Sequence, residues 1–72
     1  MSTTLIKMHP RKGQVVFLSG WLNHLIGQGK WLLRDEEENL FELREGFKDE
    51  DLAKLVSKLT ERGISYQIQL RD

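Results

Sequence analysis

Two histidines, eleven acidic side chains and no cysteine are the inventory from which any chemistry of this 72-residue chain would be drawn. His9 stands before Pro10 and His24 within an amphipathic stretch. Neither has a nucleophile or an orienting acid at a spacing that would build a triad. The acids concentrate in two runs, Asp35-Glu36-Glu37-Glu38 and Asp49-Glu50-Asp51. A divalent-cation loop alternates its ligands and turns on a glycine. Both runs lack that pattern, so the first reads as a solvated loop and the second as the acidic first turn of a helix, where carboxylates sit well against the macrodipole. Gly27-Gln28-Gly29-Lys30 resembles a fragment of a phosphate loop. Trp31 follows the lysine, however, where a Ser or Thr is required, and the glycines end a helical pattern instead of opening one. They read as a helix stop and a tight turn. With thiol chemistry absent as well, the inventory predicts a protein that is not an enzyme and holds no cofactor and no metal.

The elements that position these residues can be read from periodicity. Thr3 to His9 is rich in β-branched and apolar residues and stops at Pro10, so it predicts a first strand. From Arg11 to Gly27, Val15, Leu18, Leu22, Leu25 and Ile26 recur at three- and four-residue spacing, with Ser19, Asn23 and Gly27 opposite, which predicts an amphipathic helix with Pro10 at its entry. Residues 14–18 also fit a strand, because QVVFL is β-prone. Lys30 to Asp35 and Asn39 to Glu45 flank the acidic run and predict a hairpin. Asp49 to Arg62 predicts a second helix, with Leu52, Leu55, Val56 and Leu59 on one face and Gly63 as the stop. Ser65 to Arg71 alternates strictly, with Tyr66, Ile68 and Leu70 on one side and Gln67, Gln69 and Arg71 on the other, and predicts a last strand.

The order β-α-β-β-α-β in a single domain, residues 1–72, predicts an α+β fold of ferredoxin-like type. Two helices would lie on one face of a four-stranded antiparallel sheet, with strands one and three central. Strand parity then sorts the side chains. Ile6, Met8, Trp31, Leu33, Phe41, Leu43, Tyr66, Ile68 and Leu70 would face the helices. Leu5, Lys7, His9, Lys30, Leu32, Arg34, Leu40, Glu42, Arg44, Gln67, Gln69 and Arg71 would face solvent. The open face thus gathers five cations against one anion around three leucines.

That face is the expected binding surface, with Leu5, Leu32 and Leu40 as a dry centre and Lys7, Arg34, Arg44 and Arg71 as a charged rim. A scattered, solvated sheet face fits the same residues. The expected partner is another protein or a second copy of the chain, meeting the open face or an edge strand. The alternative is a small nucleic-acid-binding regulator that uses the same cations. Single-strand binders stack bases on exposed sheet aromatics, and here Lys7 and Glu42 occupy the middle of the two central strands. Phe17 and Trp21 either complete the core or stand out as binding anchors.

The formal net charge is zero. Residues 1–34 nevertheless hold five cations and no acid, whereas residues 35–72 hold every acid and the other six bases. Folding either interleaves these halves or polarises the surface. No apolar run is long enough to span a membrane, and MSTTLIKMHPRKG lacks the features of an export signal, so the expected setting is the cytoplasm.

Overall fold

The first strand, β1 (Thr3–His9), ends at Pro10, whose ring removes the next ladder donor. It becomes one of the two central strands of an antiparallel sheet ordered β2-β3-β1-β4, where β2 is Trp31–Asp35, β3 is Leu40–Leu43 and β4 is Ser65–Arg71. This is a computed structural model, and it describes residues 3–71. Met1, Ser2 and Asp72, the ends of the 1–72 reading and the first residues of the N-terminal one, lie outside the described residues. Strands one and three are central, as the β-α-β-β-α-β order predicts.

The second helix, α2 (Asp49–Glu61), follows its expected pattern closely, with three acids in the first turn and Leu55 and Leu59 fully buried. Its end is a Schellman motif. Gly63 takes φ +71° and donates to the Thr60 carbonyl at 3.1 Å, while the Ile64 amide donates to the Leu59 carbonyl at 2.8 Å. Ile64 thereby drops into the core. The pattern Gly followed by an apolar residue was its sequence signal.

The first helix departs from the expected span of Arg11 to Gly27. Regular α-helix, α1, covers only Val15–Trp21, which excludes the strand reading of 14–18, and a π-helical segment continues it over Leu22–Gly27. Pro10 is not its first turn. Residues 11–14 form a tight turn in which the Arg11 amide donates to Gln14 Oε1 at 2.8 Å and the Gln14 amide to the Arg11 carbonyl at 2.9 Å. The wider π turn offsets the sideways drift of residues four apart on a 3.6-residue helix, keeping Leu18, Leu22 and Ile26 over the sheet. It also brings the Asn23 side-chain oxygen to Trp31 Nε1, which donates to it at 2.7 Å.

Ile6, Met8, Phe41 and Leu43 from one face of the sheet join Leu18, Leu22, Ile26, Leu55, Leu59 and Ile64 in a single buried cluster. Trp31 and Tyr66 pack at its margin, and Trp31 meets Phe41 edge-on with ring centres 5.6 Å apart. Three other residues expected under the helices, Leu33, Ile68 and Leu70, are exposed instead. They lie on the edge strands β2 and β4, each of which packs against the core through its first apolar residue alone, Trp31 and Tyr66. Val15, expected in the core, is also exposed, because it stands in the first turn of α1 where the chain has just left the sheet.

The hairpin is tighter than its expected boundaries of Lys30 to Asp35 and Asn39 to Glu45. Asn39 adopts φ +50° at the end of the acidic loop and supplies the left-handed residue that an Asn-Gly turn would have provided. The ladder pairs Leu33 with Phe41 and then Asp35 with Leu40, so Arg34 is an extra residue, a bulge that bends the β2 edge.

Candidate functional site

The face of the sheet away from the helices can be laid out row by row from the strand registers. The middle row runs Leu32, Glu42, Leu5, Gln69 across β2, β3, β1 and β4. Toward the acidic loop, Leu40, Lys7 and Gln67 stand side by side. At the opposite end Thr3 pairs with Arg71, and Arg44 follows β3 just beyond Leu43, where its amide donates to the Lys30 carbonyl at 2.8 Å. Leu5, Lys7, Leu32, Arg34, Leu40, Arg44 and Arg71, the residues proposed from sequence, therefore do share this face or its rim.

Their exposure and pairing differ from what parity alone implies. Leu5 is only 5 % exposed, although no helix covers it. Its neighbours in the row, Glu42 and Gln69, are long side chains whose stems can shelter an apolar residue between them. Leu5 is thus a small second core, not an accessible contact. Leu40 is half-buried, and Leu32 is the one leucine of the three that is exposed.

The charge is also redistributed. Lys7 Nζ lies 2.5 Å from a carboxylate oxygen of Glu38 in the hairpin loop, and Arg34 Nε lies 3.4 Å from Glu42 Oε1. The acidic run, which the sequence predicts as a solvated loop, brings Glu38 back to pair with one cation of the face. The bulge carries Arg34 to the single acid of the face. Among the described residues, no carboxylate pairs with Arg44 or Arg71; Arg71 donates from its guanidinium to Gln69 Oε1 at 3.4 Å. The face is therefore polarised, with Asp35 to Glu38 at one end and Arg44 and Arg71 at the other.

An open recess adjoins the cationic end, lined by Thr3, Thr4, Gly29, Glu42, Arg44, Glu45 and Phe47. It mixes one cation with two acids. A second, shallower groove runs between the π segment and α2, past Leu25, Ala53 and Ser57. His9 and His24 are exposed and far apart in the chain, and among the described residues no three acidic or histidine side chains converge as metal ligands would. No described helix is long and apolar enough to cross a membrane.

On α1 the two aromatic rings part company. Phe17 is 54 % exposed and stacks at 6.0 Å on Trp21, which is half-buried against the core. Val16 stands out beside Phe17. Comparison of the chain with protein-family models, with curated proteins and with solved structures gave no match.

Proposed function

We propose that this domain is a non-catalytic, cytoplasmic protein-interaction module that docks through its open sheet face. The observation that carries the reading is the polarity of that face. Arg44 and Arg71 stand without carboxylate partners among the described residues at one end, the acidic loop stands at the other, and Leu32 is exposed between them. A partner with an apolar centre and an acidic patch opposite Arg44 and Arg71 would be held in a single orientation, because reversing it sets acid against acid. Ion pairing of Lys7 and Arg34 leaves too few free cations for the phosphate-tracking stripe that a nucleic-acid binder uses.

We read the arrangement as ferredoxin-like. The 2-3-1-4 strand order and the common helical layer support this, while the short α1 and its π continuation depart from a regular first helix.

A photo-crosslinking residue placed at Leu32 tests the function. It should capture a discrete protein, and capture should be lost in Arg44→Glu but kept in Lys54→Glu on the far side of the molecule. Equal capture in both variants would overturn the reading. So would tight, salt-sensitive binding of DNA or RNA in a parallel anisotropy titration.

A further inference from the structure

We infer that the free edge of β4 is a self-pairing interface through which two copies of the chain join into one eight-stranded antiparallel sheet. This goes beyond the open-face reading and does not depend on it.

The backbone shows which groups are available. The Met8 amide donates toward β3, to the Asn39 carbonyl at 3.1 Å. Peptide groups alternate sides along a strand, so Leu5 and Lys7 turn theirs toward β4. Their register partners Gln69 and Gln67 point back at them. That leaves the N–H and C=O groups of Tyr66, Ile68 and Leu70 directed outward from the sheet, in the pattern that an added strand completes.

Among the described residues, nothing blunts this edge. β4 is seven residues long, pairs with β1 without a break in register, and has no Pro and no charge before Arg71. The opposite edge differs, because β2 is interrupted by the bulge at Arg34 and carries Arg34 and Asp35. Bulges and edge charges are the usual protection against strand addition. Only one of the two edges has them.

The choice of a second copy as occupant follows from the sequence of the strand, SYQIQLR, which is self-complementary about Ile68. Placed antiparallel on a two-fold axis there, Ile68 meets Ile68, Gln67 meets Gln69, Tyr66 meets Leu70, and Ser65 meets Arg71. Like charges never face each other, and the glutamines can exchange side-chain hydrogen bonds. This register keeps both helical layers on the same side of the joint sheet. It also covers the apolar side chains that the helices leave out, since Ile68 is 41 % and Leu70 73 % exposed on that side. Each Leu70 would lie against the Tyr66 ring of the mate. An interface built on one strand pair is small, so association in the micromolar range is expected.

Sedimentation velocity on the full chain, from micromolar to millimolar concentration, should show the 8.5 kDa species giving way to one of twice that mass. Amide exchange followed in the same samples should slow at Tyr66, Ile68 and Leu70 as concentration rises. Gln67 and Gln69, bonded within the monomer, should be slow throughout. Ile68→Lys sets two cations on the axis and should stay monomeric. Leu70→Lys, at a position already exposed, should weaken the dimer at least tenfold while circular dichroism matches the parent. A parent that remains monomeric throughout would overturn the proposal, as would a dimer whose slowed amides lie elsewhere or which survives both lysine variants. Neither variant alters the open face, so such a failure would leave the Arg44-dependent crosslink unaffected.

Discussion

Leu5 illustrates how far a residue's role depends on its neighbours in the sheet. Parity places it on the face without helices, where an exposed leucine would be a binding contact, yet it is as buried as Phe41 in the main core. Its truncation is therefore expected to act on folding. Leu5→Ala should cost about 2–3 kcal/mol in urea unfolding, within the range for a buried leucine. Leu32→Ala, in the same row but beyond Glu42 on the edge strand and exposed, should cost under about 1 kcal/mol and weaken partner binding measured without the crosslinker. Equal stability losses in the two variants would show that Leu5 is not sheltered as described. Phe17 and Trp21 divide in the same way. Phe17→Ala should be nearly neutral for stability, whereas Trp21→Ala removes a ring packed on the core and should cost roughly 2 kcal/mol.

At the scale of elements, α2 forms although its N-terminus is not capped by a side chain. Lys48 occupies the N-cap position with extended geometry, φ −102° and ψ 146°, and no side-chain bond reaches the first-turn amides. Asp49, Glu50 and Asp51 supply favourable charge there instead. Lys48→Ser provides the missing acceptor without moving the backbone and should stabilise the domain by about 1 kcal/mol, raising the thermal midpoint by about 4–8 °C. An unchanged midpoint would mean that water already satisfies those amides. The same helix shows why some elements are legible in sequence. Its acids, its leucine spacing and Gly63 are local signals that all agree, as is the alternation of β4. The break in the first helix had no local signal, since it follows from the need to keep Leu22 and Ile26 over a sheet formed by distant residues. The bulge at Arg34 and the folding of Glu38 onto Lys7 likewise depend on strand pairing, which is why the open face proved less cationic than parity implied. The candidate site was legible as a surface, and its free charges were not.

For the whole molecule, the limiting quantity is helical cover. The Cα radius of gyration, 11.2 Å, matches the about 11 Å that the usual scaling gives a well-packed chain of this length, so the monomer is compact. Its two helices nonetheless cover the middle of a four-stranded sheet and leave Leu33 on one edge and Ile68 and Leu70 on the other in water. A domain this short has little stability to spare. Pairing of β4 with its mate joins native chains only, so it should shift unfolding by mass action, by on the order of 2 kcal/mol when the concentration is about a hundredfold above the dissociation constant. Calorimetry should then show a thermal midpoint that climbs by about 10 °C between dilute and concentrated parent protein, and that stays level in Ile68→Lys. The dilute parent and the lysine variant should melt at similar temperatures, because the substituted side chain contributes little to the monomer's core. A midpoint insensitive to concentration in the parent would mean that the β4 edge is simply solvated, with the ten-residue buried cluster sustaining the fold alone.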